Sequence, residues 1–99
     1  MHYIVYAPDK PGALEHRMEV RPRHLAYWND APIKTVVAGP MLDEETGDLK
    51  GSMLILEADD IETVRKVAEA DPYWVEGVFE KLEINRVRLI LGELAQEKI

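Results

Sequence analysis

Hydrophobic and polar residues change their spacing several times along the chain, and each change predicts a new secondary-structure element. Residues 3–6 are a short β-branched and aromatic run that a segment rich in proline and glycine terminates, which indicates a strand followed by a turn. From Ala13 onward the apolar residues recur at helical spacing, as in a helix with one face on a core. These residues are Leu14, Met18, Leu25 and Trp28. Pro22 lies within this stretch and predicts a kink near Val20 or a break into two helical pieces, because proline removes a backbone hydrogen bond.

Two further strands and an acidic loop follow the first helix. Residues 33–38 and 52–57 are apolar and rich in β-branched or aliphatic side chains, which favours strands. The stretch 43–50 between them is acidic and contains glycine, which is typical of a solvated hairpin loop. We therefore expect these two strands to pair in antiparallel orientation.

A second helix and a last strand complete the pattern. Asp59 followed by Glu62 resembles a capping box at the start of a helix, and the dipeptide 71–72 ends or bends that helix. Its predicted buried side consists of Ile61, Val64, Val67 and Ala68. In residues 82–87 apolar and charged side chains alternate, as in a strand with one solvated face. The order βαββαβ predicts an α+β, ferredoxin-like fold with an antiparallel sheet and two helices on one face, in a single domain over residues 1–99.

A sheet of this kind has a second face that its own helices do not cover. The apolar residues that we expect on this face are Val5, Val37, Met53 and Ile55. A chain of 99 residues gains stability from association, and a large apolar patch usually marks an interface. The sequence therefore predicts a symmetric homodimer in which two sheets pack face to face.

Composition excludes several classes of function. The chain is 46% hydrophobic and 31% charged, as expected of a folded globular protein, and its net charge of −7 opposes binding to nucleic acid. It has no cysteine, its histidines are not spaced as in a metal site, and it has no glycine-rich nucleotide motif. We therefore expect no metal and no cofactor. The amino terminus lacks the features of a signal peptide, and no apolar run approaches the roughly 20 residues of a membrane span. We therefore expect a cytoplasmic protein without a membrane partner.

Four residues with useful chemistry recur at helical spacing in the first helix. They are Arg17, Arg21, His24 and Trp28, and on a continuous helix they form one stripe. In the functional interpretation, an arginine holds an anionic ligand group, Trp28 stacks on an unsaturated ring and His24 transfers a proton. In the structural alternative, the arginines form solvated salt bridges and Trp28 belongs to the core.

Asp71 is the candidate partner of His24. Histidine has an unperturbed pKa near neutrality, and a carboxylate that orients it would complete a dyad for proton transfer. The two residues are distant in sequence, and only the packing of both helices on one face of the sheet could join them. Asp71 also precedes a proline, where a helix commonly ends. Gly39 and Pro40, which follow the second predicted strand, are best explained as turn residues, with a role in lining a cleft as the alternative.

The chain resembles the YciI-like (YCII-related) family in short motifs that run from the first strand to the last. These motifs are Lys-Pro-Gly-Ala-Leu-Glu at 10–15, Arg17 with Arg21 and His24-Leu25, Ala-Gly-Pro at 38–40, Gly-Ser at 51–52, Asp-Pro-Tyr at 71–73 and Gly-Val-Phe at 77–79. The resemblance implies a dimeric α/β-barrel arrangement and a cleft with a histidine and an aspartate, which correspond to His24 and Asp71. The family is similar in architecture to muconolactone isomerases, and one relative removes hydrogen chloride from a hydroxylated ring.

These observations lead to three hypotheses. In the first, the chain is a small cofactor-independent enzyme of the isomerase, dehydrohalogenase or lyase type that acts on a small anionic or cyclic metabolite. Asp71 orients His24, and Arg21, with Arg17 as second choice, stabilises negative charge on the reacting molecule. In the second, the same cleft belongs to a ligand-binding or sensing module without chemistry. In the third, the chain is a small subunit or structural partner of a larger enzyme.

Overall fold

The structure, a computed structural model, describes residues 1–98 and contains the predicted order of elements with one addition. The elements are β1 (His2–Pro8), α1 (Leu14–Asn29), β2 (Lys34–Leu42), β3 (Leu49–Glu57), α2 (Ile61–Glu69), α3 (Pro72–Val75) and β4 (Glu83–Val87). The addition is α3, a single turn that was not predicted as a helix. Among residues 1–98, none of the helices combines the length and the apolar character that a membrane span requires.

The four strands form one antiparallel sheet in the order β2-β3-β1-β4. In the centre of the sheet, Val5 on β1 lies opposite Leu54 on β3 and Ile84 on β4. Side chains alternate between the two faces of each strand, so one face buries Val5 and Leu54 beneath the helices. This architecture is the predicted ferredoxin-like α+β fold.

The core between the sheet and the helices consists of two clusters of buried side chains. The cluster under α2 contains Tyr3, Val5, Leu54, Leu56 and Val64, and the cluster under α1 and α3 contains Ala7, Val20, Tyr73, Val78 and Phe79. The second helix buries Val64, Val67 and Ala68 as its spacing predicts, whereas Ile61 is only partly buried. Its N-cap is Asp60 rather than the predicted Asp59, and the Asp60 carboxylate accepts a hydrogen bond of 2.8 Å from the backbone N–H of Thr63.

Helix α1 differs from its prediction in two respects. It continues from Leu14 to Asn29 with Pro22 inside it, so the predicted break into two pieces is absent. Its buried residues are Arg17 and Val20, whereas the predicted core residues Met18 and Leu25 are 49% and 48% exposed. The apolar spacing was misleading because the side chain at position 17 is charged and yet buried. Its burial requires polar partners at positions 9 and 52, which the local sequence does not reveal.

The opposite face of the sheet carries apolar side chains that the helices do not cover. Ile4, Met53 and Ile55 are partly exposed, and Tyr6 and Val37 are 40% and 39% exposed. Val5, which the sequence also placed on this face, is instead fully buried in the core. The error is one of register, since a shift of one residue along a strand exchanges its two faces.

Strand β2 is longer than predicted and passes through Gly39 and Pro40, so these residues do not form the turn expected of them. Because β2 lies at the edge of the sheet, a proline is tolerated there. The turn lies further on, where the Asp43 carboxylate accepts hydrogen bonds of 3.0 Å from the backbone N–H groups of Glu45 and Thr46.

Candidate active site

A cavity of about 210 Å³ lies between α1 and the β2–β3 half of the sheet. One wall consists of α1 residues and the other of strand residues, and Tyr73 joins them at one side. The α1 wall contains Arg17, Arg21, His24, Leu25 and Trp28, and the strand wall contains Ala38, Gly39, Pro40, Leu49, Ser52, Met53 and Leu54. Every predicted site residue except Asp71 therefore lines the same cavity. Asp71 does not line it but contacts Nδ1 of His24, which does.

The His24 imidazole and the Asp71 carboxylate are in direct contact. Nδ1 of His24 lies 2.8 Å from Oδ1 and 3.0 Å from Oδ2 of Asp71, and the two side chains are 12% and 1% exposed. The same carboxylate accepts hydrogen bonds from Trp28 Nε1 at 2.8 Å and from the backbone N–H of Tyr73 at 2.9 Å. A carboxylate only accepts hydrogen bonds, and the indole and the backbone amide only donate them. The contact with Asp71 therefore assigns the proton to Nδ1 of His24 and leaves Nε2 available to a ligand.

The local sequence around Asp71 explains how a buried carboxylate reaches α1. Asp71 has an extended backbone with ψ of 128°, as expected for a residue before proline, and Pro72 begins α3. The side chain then accepts the N–H of Tyr73 as the N-cap of this turn. Capping and the contact with His24 thus use the same carboxylate.

Tyr73 supports the imidazole from one side. Its ring stacks on His24 with a centroid distance of 3.9 Å and an interplanar angle of 19°, and the guanidinium carbon of Arg17 lies 4.4 Å from the centre of the tyrosine ring. Burial is the main reason why the pKa of Tyr73 lies above its usual value, although Arg17 and Arg21 oppose this effect. The hydroxyl group is therefore protonated near neutral pH. Sequence reasoning included Tyr73 only as part of a family motif and did not assign it to the site.

Arg17 is held inside the protein by Asp9, which directly follows β1, and by Ser52 on β3. It is 2% exposed, and its terminal nitrogens donate hydrogen bonds of 2.8 Å to Asp9 Oδ1 and to Ser52 Oγ. Burial raises the pKa of Asp9 more than the charge of Arg17 lowers it. The arginine is thus neither in a solvated salt bridge nor free to rotate, because both terminal nitrogens already have protein acceptors. Asp9 and Ser52 were not among the predicted site residues, and no spacing along the chain connects them to Arg17.

Arg21 presents the more accessible positive charge. It lines the cavity one turn before His24, is exposed, and forms no ion pair within residues 1–98. On the strand wall, Gly39 has no atom within 4 Å of the position that a Cβ would occupy. The described residues contain no cluster of three histidine, aspartate or glutamate side chains that could hold a metal ion.

Comparison with known proteins agrees with this architecture. The model of the YCII-related domain matches residues 1–88. Protein YciI of Escherichia coli O6:H1 is 37% identical over 93 residues, which cover 86% of this chain and 94% of that protein. An uncharacterized protein of Haemophilus influenzae is 33% identical over 86 residues, with coverage of 80% and 88%.

Among solved structures, the chain is similar to the 5-chloro-2-hydroxyhydroquinone dehydrochlorinase TftG of Burkholderia phenoliruptrix in complex with 2,5-dihydroxybenzoquinone. The TM-score is 0.83 and the identity 35%, and the match covers 89% of this chain and 94% of that one. SnoaB, a cofactor-independent oxygenase of Streptomyces nogalater, shares only the fold, with a TM-score of 0.55, 14% identity and coverage of 93% and 96%. On the match over residues 1–88 and the identity to the curated relatives, this chain belongs to the YCII-related domain family.

Proposed function

We propose that this chain is a cofactor-independent enzyme of the lyase or isomerase type that moves a proton on a small cyclic, hydroxylated molecule. The observation that carries the proposal is the contact of 2.8 Å between His24 Nδ1 and Asp71 Oδ1 at the wall of a cavity. A carboxylate fixed on one ring nitrogen orients the imidazole and stabilises the imidazolium that forms when the other nitrogen accepts a proton. In this mechanism His24 is the acid–base catalyst and Asp71 holds it in place.

The chemistry of the cavity favours a flat, partly anionic ligand. Its strand wall is mainly apolar, with Ala38, Pro40 and Leu54 among its residues, whereas the α1 wall carries Arg21 and His24. TftG, which is similar to this chain over most of its length, is a dehydrochlorinase described in complex with a dihydroxybenzoquinone. A polyhydroxylated ring with a leaving group would satisfy both walls, because its faces are apolar and its oxygens become anionic on deprotonation.

An elimination on such a ring needs only proton transfers and a leaving group. Nε2 of His24 accepts the proton of a ring hydroxyl, and the imidazolium returns it to the ring carbon that bears the chloride, so that the oxygen becomes a carbonyl. Nε2 then accepts the proton of the hydroxyl para to this carbonyl, and the O–H pair forms a second carbonyl. The adjacent ring double bond shifts onto the carbon that bears the chloride, and chloride leaves with the C–Cl pair. The net loss is one proton and one chloride ion. Arg21 stabilises the negative charge on the ring oxygen between these steps.

Replacing the histidine tests the proposal directly. With 5-chloro-2-hydroxyhydroquinone as the probe substrate, we expect His24→Ala to lower chloride release by about 10²- to 10⁴-fold, the usual contribution of a positioned acid–base group. His16→Ala is the matched control, since His16 lies on the same helix and does not line the cavity. Circular dichroism and thermal unfolding would establish that both variants fold. Turnover of the His24 variant within a few-fold of the wild-type rate would refute the assignment.

A non-catalytic binding module is the second candidate function, because Arg21 gives the cavity an accessible positive charge whether or not chemistry follows. Titration with 2,5-dihydroxybenzoquinone, followed by absorbance and thermal shift, separates the two functions when product analysis accompanies it. Binding that Arg21→Ala weakens and His24→Ala does not, without conversion of any ring substrate, would favour the binding module.

We also propose that the protein works as a homodimer. The partly exposed apolar side chains on the uncovered face of the sheet, including Tyr6, Val37 and Ile55, support this arrangement. Sedimentation equilibrium of the wild type and of Ile55→Lys measures it. A wild-type mass of one chain at micromolar concentration would contradict the proposal.

A further inference from the structure

Trp28 contributes to the site by its indole N–H as well as by its ring. The ring lines the cavity and packs against the core cluster under α2, while Nε1 donates a hydrogen bond of 2.8 Å to Oδ2 of Asp71. The sequence alone suggested a stacking platform for a ligand or a core residue. Neither role explains why its single polar atom is directed at the carboxylate that also binds His24.

The carboxylate of Asp71 divides its two oxygens among three donors. Oδ1 accepts the backbone N–H of Tyr73 and the closer contact from His24, while Oδ2 accepts Trp28 and the longer contact of 3.0 Å from His24. At 1% exposure, no bulk water replaces a donor that is removed. Without the indole N–H, the carboxylate would have freedom to rotate and would attract the His24 proton more strongly, since fewer donors would share its charge.

We propose that Trp28 is a positioning residue that acts on His24 through Asp71. Its N–H fixes the plane of the carboxylate and limits the strength of the Asp71–His24 hydrogen bond, so that Nε2 keeps its direction toward the cavity. The inference rests on the proposed function only for its effect on turnover. Its structural content, an indole that tunes a hydrogen bond between two other residues, is measurable without any substrate.

Replacement of Trp28 does not add or remove any other charged or titratable side chain around the dyad. On α1 these are Arg17, Arg21 and Tyr27, whose hydroxyl donates a 2.5 Å bond to the Val67 carbonyl, and on α3 it is Tyr73. The strand wall of the cavity contributes no ionisable side chain. A change in the His24 resonance after replacement of Trp28 therefore reports on the indole, that is, on its N–H and its ring together.

The experiment compares Trp28→Phe with Trp74→Phe. Both remove an indole N–H, but Nε1 of Trp74 forms no hydrogen bond within residues 1–98, so it is the matched control. In protein labelled with ¹⁵N-histidine, we expect the Nδ1 proton of His24 to move downfield in Trp28→Phe and to keep its position in Trp74→Phe. Should the enzyme turn over 5-chloro-2-hydroxyhydroquinone, we expect kcat to fall about tenfold with KM nearly unchanged, the equivalent of one hydrogen bond to a charged group.

A second replacement separates the N–H from the packing of the ring. In the Trp74→Phe background, biosynthetic replacement of Trp28 by benzothienylalanine exchanges only the N–H for sulfur and preserves the shape. A downfield shift in this protein supports the proposal even when Trp28→Phe folds poorly. An unchanged Nδ1 proton resonance would overturn it, and so would a rise in KM alone, which indicates a wall residue. Absence of turnover in the wild type would refute the proposed function and leave the resonance test intact.

Discussion

Replacement of Asp71 by asparagine is the sharpest test of how the site is built, because it keeps the shape of the side chain and changes one oxygen to an NH₂ group. The carboxylate accepts hydrogen bonds from His24, Trp28 and the backbone of Tyr73. In the better of the two amide orientations, the oxygen keeps the bonds to His24 and Tyr73, while the NH₂ group faces the indole N–H of Trp28. In the other orientation the NH₂ group faces the backbone N–H of Tyr73, and His24 retains only its longer contact of 3.0 Å.

The expected loss of stability follows from these contacts. One buried donor without an acceptor costs about 1–3 kcal/mol, and the remaining bonds lose the part of their strength that the negative charge gave them. We expect Asp71→Asn to lower the free energy of unfolding by about 3 kcal/mol. For a chain of this size, each kcal/mol corresponds to roughly 4–8 °C in Tm. Turnover, where it is observed, should fall by about 10²- to 10⁴-fold because a neutral amide no longer stabilises the imidazolium that forms during proton transfer.

Asp60→Asn is a natural control for this measurement. Asp60 caps α2 through a hydrogen bond of 2.8 Å to the backbone N–H of Thr63, much as Asp71 caps α3, but Asp60 is exposed. Asparagine caps helices about as well as aspartate, so we expect no measurable change there. Urea unfolding followed by tryptophan fluorescence gives both values. If Asp71→Asn costs no more than Asp60→Asn, the buried network does not stabilise the protein as described.

Urea unfolding also tests two further substitutions, one at the wall of the cavity and one at the contact between β1 and β3. Arg17→Met leaves the carboxylate of Asp9 buried without its counter-ion and should lower the free energy of unfolding by about 3–5 kcal/mol. Its control, Arg21→Met at an exposed position, should change that free energy by less than about 0.5 kcal/mol. Equal effects would contradict the structural role of Arg17. Gly51→Ala places a Cβ 2.9 Å from a backbone oxygen of β1 and should lower the free energy of unfolding by about 1–3 kcal/mol. Lys50→Ala, at the exposed neighbouring position, should leave the free energy of unfolding unchanged. A Gly51 variant as stable as the wild type would show that the strands separate easily.

The order of elements could be read from the sequence because each element has its own period of apolar residues. Helix α2 is the clearest case, since Val64, Val67 and Ala68 recur at helical spacing and are the residues that it buries. Helix α1 was harder to interpret. Its spacing favoured Met18, which is exposed, because hydrophobicity alone cannot indicate that a charged neighbour is buried by partners elsewhere.

The candidate site could be predicted as far as local geometry reaches. Residues of one helical stripe, such as Arg21 and His24, line one cavity because their positions follow from the helix itself. The contact between His24 and Asp71 depends on tertiary packing. The predicted topology places both helices on one face of the sheet, but it does not fix the distance between the two side chains. The anchoring of Arg17 by Asp9 and the direction of the indole N–H of Trp28 depend on atoms from separate elements, which no local pattern encodes.

The double use of the Asp71 side chain couples the integrity of the site to a single turn of backbone. The carboxylate that closes α3 is the same group that holds the imidazole, and the next side chain but one, Tyr73, stacks on that imidazole. Fraying of this turn would therefore remove the hydrogen-bond acceptor and the stacking surface of His24 together. States that keep only one of these two contacts have little to stabilise them. Hydrogen exchange of the Tyr73 amide thus serves as a gauge of how long the dyad stays assembled.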